Sequence, residues 1–282
     1  MNNDELRSHI EELGPWHHRH ELREGVFTQS SSQRDQKDLS ISIIDPQSRF
    51  AALTSKVLPD GLEGRSFLDC ACNSGGYCFA AVDAGATEAF GFDIREHWIR
   101  QAEFVAANRA KGANGVRFAQ ADLMSVDLPH RGYDVTFFNG ILYHLASPVG
   151  GLKIAADATK ELLFMSTAVT ASEPDAVEDP GMKLIRENPA SLMAGSQTLA
   201  WLPSGPKVLE STLAWLGFPE FRILRWIRKR SGYRNPRGRI AIVAAREKGR
   251  LADIKDAAPV DEVVDSRAAA ARGGPVVISC DA

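Results

Sequence analysis

Three aspartates stand where short apolar runs end. Asp69 follows Ser66-Phe67-Leu68, Asp93 follows Ala89-Phe90-Gly91-Phe92, and Asp122 comes just after a third run at residues 115–119. Asp69 and Asp93 are 24 residues apart, room for a strand, a turn, a helix and a return strand. Each carboxylate suits a different donor: an ammonium group at Asp69, two neighbouring hydroxyls at Asp93, an aromatic amino group at Asp122. The first turn reads Asp69-Cys70-Ala71-Cys72-Asn73-Ser74-Gly75-Gly76, so Ala71 and Asn73 stand where a G-x-G-x-x-G turn has glycines. A pyrophosphate needs glycine backbone, a helix N-terminus and no competing acid. A dinucleotide is therefore disfavoured.

A second constellation is Asn139-Gly140-Ile141-Leu142-Tyr143-His144, after a fourth apolar run. His144 can serve as a general base near neutral pH; the other reading is a structural histidine hydrogen-bonded beneath its loop. Tyr143 can orient a substrate or line a cation, and Asn139 can hold one end of a ligand. Near the N-terminus stands Trp16-His17-His18-Arg19-His20. Imidazoles ligate metals, but His-His-x-His in an extended segment points its rings apart and has no evident carboxylate partner, so no metal is expected. Cys70, Cys72 and Cys78 bracket the first strand and read as buried packing residues. A basic stretch holds Arg222, Arg225, Arg228, Lys229, Arg230, Arg234, Arg237 and Arg239. It reads either as a phosphate-backbone patch or as a charge-protected hairpin. The chain has 33 Lys and Arg against 36 Asp and Glu, a net charge of −3, which favours the hairpin.

These residues need a scaffold. Hydrophobic residues make up 44% of the 282 and charged residues 24%, the composition of a globular chain. No apolar run approaches the ~20 residues of a membrane span. Residues 1–25 are acidic and lack an apolar signal core, and the bunched cysteines suit reduced thiols, so the cytoplasm is the expected compartment. Helices are expected at residues 1–13, 46–58, 76–85, 96–111, 149–160 and 206–217, and strands at 66–70, 89–93, 115–119, 133–138 and from 161. That alternation implies an α/β, Rossmann-like, doubly wound and mostly parallel sheet. Residues 221–227 and 239–245 read as an antiparallel hairpin at one sheet edge. The expected organisation is an N-terminal cap (1–60), a core (61–169), a lid insertion (170–205), a helix and hairpin completing the sheet (206–247) and a loose tail (248–282).

A ligand with an ammonium end, a ribose and an adenine but no phosphate matches the three acids: S-adenosylmethionine. The chain resembles the class I S-adenosylmethionine-dependent methyltransferases, and most of all the branch of the tRNA wobble-uridine methyl- and carboxymethyltransferases with their small-molecule relatives. The resemblance rests on Trp16-His17-His18, Gly25-Val26-Phe27-Thr28, Leu68 to Gly75, Gly91-Phe92-Asp93 and Phe138 to Pro148, whose Leu-Tyr-His-x-x-x-Pro is the most branch-specific part. It implies a cofactor site of Trp16, Asp69, Ala71, Cys72, Asn73, Gly75, Asp93, Ile94, Asp122, Leu123, Asn139 and Gly140, and a reaction centre of His144, Tyr143 and Asn139. Ala71 departs from the family's usual glycine and sets a methyl beside the methionine end. Leu145-Ala146 follow His144 where a carboxylated donor would want cations, which argues for ordinary S-adenosylmethionine. The expected reaction is methyl transfer to a small-molecule acceptor. A tRNA acceptor is the disfavoured alternative, and a non-catalytic S-adenosylmethionine-binding protein is a third reading.

Overall fold

The computed structural model describes residues 1–28, 44–130, 132–170, 180–187, 189, 194–195, 198–229 and 238–262. The chain opens with α1 (Asn3–Glu12) and a small ladder of β1 (Glu21–Arg23) and β2 (Val26–Phe27). Then come α2 (Pro46–Thr54), β3 (Ser66–Cys70), α3 (Gly76–Asp83), β4 (Glu88–Asp93), α4 (Glu96–Asn108), β5 (Val116–Gln120), β6 (Tyr133–Asn139), α5 (Pro148–Asp157) and β7 (Thr159–Val169). The last elements are β8 (Met182–Arg186), β9 (Leu199–Pro203), α6 (Pro206–Trp215), β10 (Glu220–Lys229), β11 (Gly238–Ala245) and β12 (Pro259–Glu262).

Eight strands form one sheet in the order β12-β10-β11-β7-β6-β3-β4-β5. From β7 to β5 every pair is parallel; β11 runs antiparallel to β7 and to β10. Neighbouring residues serve opposite faces, as a pleated strand requires. Leu68, Phe138 and Leu163 pack with Leu152 of α5 and Leu209 and Leu213 of α6. Phe67, Phe137 and Phe164 pack with Phe50 of α2, Ala81 of α3 and Ile99 of α4. Both faces are covered, which is why the central strands read as continuous apolar runs rather than alternations. Each fully buried Phe or Leu contributes about 1.5–3 kcal/mol, so this two-sided core fixes the strand ends that carry the acids.

Helix ends follow local chemistry. Asn2 caps α1 in a reciprocal box with Glu5. Asp45 accepts from the Ser48 amide ahead of Pro46 at the start of α2. That helix stops at Thr54, short of the expected 58, and residues beyond it form turns.

The structure departs from expectation on the C-terminal side. The hairpin β10–β11 is not outermost, because β12 adds to β10 in parallel. Residues 248–262, expected to belong to a loose tail, are held: the Glu220 carboxylate accepts from the Leu251 amide at 2.7 Å, Leu251 is fully buried, and Ala257 donates to the Ile223 carbonyl. The rest of that tail lies outside the described residues. Within the expected lid, β8 and β9 pair as an antiparallel hairpin; Arg230, Arg234 and Arg237 of the basic stretch lie outside the described residues. Among the described residues no helix is long and apolar enough to cross a membrane.

Candidate active site

The strand order reverses at β3, between β6 and β4, and an open parallel sheet binds ligands at such a point, beyond the carboxyl ends of its strands. The loop leaving β3 is built for close approach. Ala71, Asn73 and Gly75 have φ of 63°, 53° and 77°. It is pinned to β4: the Cys72 amide donates to the Phe92 carbonyl at 2.8 Å, and the Asn73 amide donates to Asp93 Oδ2 at 3.1 Å. Gly75 is required twice over. Its φ is left-handed, and a Cβ there would stand 2.3 Å from Phe118 Cζ.

Asp69 is 1% exposed, and its Oδ2 has no hydrogen-bond partner among the described residues. Burial, and then the neighbouring charge of Asp93, push its carboxyl well above the usual range. Asp93 is also buried and also raised by burial, although the Arg95 and Asn73 amides that donate to it pull the other way. Two acids of three therefore converge in the interior. The third does not: Asp122 is exposed and accepts from the Met124 amide at 2.9 Å, as a turn-forming aspartate does. Its neighbour Leu123 is buried in the core, whereas Ile94, after Asp93, is 46% exposed and offers an apolar face.

The N-terminal segment lies over the start of α3. His20 Nε2 is 2.9 Å from Ser74 Oγ. His18 stands so close to Gly76 that a Cβ on that glycine would meet its Nδ1 at 2.7 Å, and that nitrogen has no hydrogen-bond partner among the described residues. Both imidazoles are neutral near pH 7. Burial, then His17 and His20, hold His18 well below its usual range, and burial followed by Arg109 lowers His20 to about 3. Trp16, expected at the cofactor, is 1% exposed and donates its indole N–H to the Ile10 carbonyl. It supports His20 from behind, with ring centroids 6.4 Å apart. The three cysteines near β3 are buried, and burial raises each thiol. Among the described residues no three His, Cys, Asp or Glu side chains converge as a metal site.

Across the reversal, Asn139 ends β6, and neither atom of its buried amide has a hydrogen-bond partner among the described residues. Gly140 turns the chain with φ 76° and donates to the Ser166 carbonyl. A short 3-10 turn, Leu142–His144, then presents two side chains. The Tyr143 hydroxyl accepts from Arg239 Nη2 at 2.9 Å. His144 Nδ1 lies 2.9 Å from Glu187 Oε2, which also accepts from the Gly195 amide at 2.8 Å.

Sequence reasoning missed Glu187 and misassigned Arg239. Glu187 belongs to the stretch without periodic signal and reaches His144 across 43 residues; no local spacing announces it. Arg239 was counted among hairpin charges, and only the pairing of β11 with β7 carries it to Tyr143. A guanidinium is thus brought to this turn from another strand.

The residues present fit the cofactor they imply. An ammonium group would find the Asp69 carboxylate, a carboxylate or amino group would find the Asn139 amide, and ribose hydroxyls would find Asp93. Buried polar atoms without partners cost about 1–3 kcal/mol each; among the described residues Asp69 Oδ2 and both Asn139 amide atoms are such atoms at the carboxyl ends of β3 and β6.

Comparison with known proteins gives the class. Residues 62–217 match the family described as "Methyltransferase domain", and the chain belongs to that family. The N-terminal domain of EvdMO1, crystallised with SAH bound, shares the fold with a TM-score of 0.67 at 24% identity over 87% of this chain and 97% of that one. The class I resemblance read from the sequence is borne out in family and fold. The tRNA U34 carboxymethyltransferase of Idiomarina loihiensis is 27% identical over 202 residues, 68% of this chain and 56% of that protein. Its counterpart in Pseudomonas fluorescens is 27% identical over 221 residues, 77% and 61% respectively. The chain thus spans about three-fifths of the length of these curated relatives.

Proposed function

We propose that this protein is an S-adenosylmethionine-dependent methyltransferase that acts on a small-molecule acceptor. The observation that carries the reading is the pair of buried groups without a hydrogen-bond partner among the described residues, Asp69 Oδ2 and the Asn139 amide, flanking the sheet reversal beside Asp93. When bound, the cofactor supplies an electrophilic methyl group on a sulfonium. The protein's part is to hold the amino-acid end on Asp69 and Asn139, hold the ribose on Asp93, cover both from the His18–His20 segment, and align an acceptor in line. The small-molecule reading is supported by the fate of the basic stretch. Arg222 donates to the carbonyls of Ile254 and Phe221, and Arg228 to that of Pro259; these guanidinium groups secure the edge of the sheet.

The test is turnover of labelled S-adenosylmethionine against a metabolite extract, with and without tRNA, followed by mass spectrometry of the labelled product. Label in a small molecule supports the reading. Label in tRNA alone overturns the acceptor class, and no label with cofactor bound leaves a cofactor-binding protein without turnover.

One observation favours a second reading. Arg239 sits on Tyr143 next to His144, where a carboxylate on the donor would find a cation, and the matched relatives are named carboxymethyltransferases of tRNA. On that reading the donor is carboxylated, the acceptor is a tRNA wobble uridine, and Arg239→Leu abolishes discrimination between carboxylated and ordinary donor in a competition assay.

A further inference from the structure

The carboxylate of Glu187 has no part in holding the cofactor, yet it is held at two points. It accepts from the Gly195 amide and faces His144 Nδ1. The backbone around it is packed just as closely: a Cβ on Gly195 would stand 2.8 Å from the His144 carbonyl oxygen, and Arg95 donates to the Ala194 carbonyl. We infer that Glu187, carried by the segment after β8, positions His144 as the base that takes the proton from a hydroxyl acceptor. This rests on the methyltransferase reading and adds to it the chemical class of the acceptor and a positioning residue.

A carboxylate only accepts, so Nδ1 of His144 carries the hydrogen and Nε2 keeps its lone pair. His144 makes no other side-chain hydrogen bond within the described residues, and its side chain is 18% exposed, within reach of a small molecule. The step balances without a further reactant. Nε2 takes the hydroxyl proton, and an oxygen electron pair forms the new bond to the methyl carbon. The pair of the broken carbon–sulfur bond returns to sulfur, leaving a neutral thioether. The imidazolium charge is offset by Glu187 until solvent takes the proton. A neutral amine or a thiolate attacks a sulfonium without such a base; an alcohol oxygen does not, because its proton must leave as the bond forms. A built carboxylate–imidazole pair therefore suits hydroxyl chemistry.

The groups facing the ring agree. Arg95 from the start of α4 and Arg239 from β11 join burial in favouring the neutral imidazole, Glu187 opposes them, and the balance lies below the ordinary histidine value. The base is therefore unprotonated near neutral pH, with the Tyr143 ring tilted against it on the same turn, ring centroids 4.1 Å apart.

The experiment uses the full chain with 15N-labelled histidine and no donor bound. In the wild type, nitrogen shifts should assign His144 to the Nδ1-protonated form; an Nε2-protonated ring overturns the proposal without any variant. In Glu187→Gln the His144 titration should move down by about one pH unit as the opposing charge is lost. With donor and acceptor present, kcat of that variant should fall at least about tenfold while the Kd for S-adenosylmethionine stays within about twofold. Glu187→Asp should recover part of kcat. An unchanged His144 titration, equal losses in kcat and donor affinity, or a product methylated on nitrogen or sulfur overturns the assignment. Failure of the wild type to bind S-adenosylmethionine would instead remove the methyltransferase reading, a separate outcome seen in the same calorimeter.

Discussion

Asp69→Asn should make the protein more stable and a worse binder at once. Asp69 is buried, one carboxylate oxygen has no hydrogen-bond partner among the described residues, and the charged form is disfavoured by burial and by Asp93. Its folded-state pKa lies above the unfolded value, so the folded state holds the proton more tightly. The penalty is absent below the unfolded pKa, near 4, and grows as pH rises toward the folded value. An amide of nearly the same shape removes the charge. The gain expected is the charge penalty alone, about 1.4 kcal/mol for each pH unit by which the folded carboxyl is raised, or roughly 2–4 °C of Tm per kcal/mol for a chain of this size. The same change removes the counter-charge for an ammonium group, and a hydrogen bond to a charged group is worth about 1.5–3 kcal/mol, roughly 10- to 150-fold in Kd. Thermal denaturation across pH 4–9 without ligand should show curves that meet at the acid end and separate toward neutrality, with the variant higher. Calorimetry with S-adenosylmethionine should show the opposite ranking. A variant that is less stable at pH 8, or that binds the cofactor as tightly as wild type, refutes the placing of an ammonium group at Asp69.

Three further changes probe the same edge. Asp93→Ala removes an acceptor for ribose and frees the Asn73 and Arg95 amides; S-adenosylmethionine affinity should fall at least about tenfold, and unchanged calorimetry would move the site elsewhere. Gly75→Ala puts a methyl against Phe118 at a left-handed φ and should cost at least about 1–2 kcal/mol in urea denaturation, with wild-type stability counting against the loop geometry. Ala71→Gly relieves a left-handed residue, worth roughly 1–2 kcal/mol, against glycine's extra chain entropy of about 0.5–1 kcal/mol. Its denaturation midpoint should hold or rise slightly and its cofactor affinity should not drop; a drop would make the Ala71 methyl a ligand contact.

Asp69 and Asp93 stand out in the sequence because they fall in the last two residues of strands buried on both faces, and such a strand is a run of apolar residues that a charge interrupts only at its end. Asp122 ends no such run: β5 is an edge strand with exposed positions, so the apolar signal weakens and the acid turns to its own backbone. The resemblance implies Trp16 at the cofactor; what no spacing announces is that the end of α1 offers a carbonyl at Ile10 and the indole N–H satisfies it. The strand β12 was hidden by its composition, Pro-Val-Asp-Glu, which carries little β signal and is held by ladder pairing with β10. Glu187 and Arg239 were invisible for one shared reason. Each meets the 3-10 turn through tertiary contact from a distant hairpin, and sequence spacing reports only contacts along one element.

Several positions that defy local preference lie at the carboxyl ends of the central strands and beside them. Ala71 and Asn73 adopt left-handed backbone that side chains disfavour, Asp69 and Asn139 bury polar atoms without partners among the described residues, and His18 and His20 are buried imidazoles kept neutral. A fold tolerates such a concentration only where something else recovers the cost. Here a ligand carrying an ammonium group, hydroxyls and an extended apolar ring system would satisfy the polar atoms one by one while covering exposed Ile94. The strain in the loop then has a physical role: a β3–α3 turn relaxed to ordinary φ would carry the Asn73 amide away from Asp93, and the carboxylate proposed to meet the ribose would lose one of its two backbone donors.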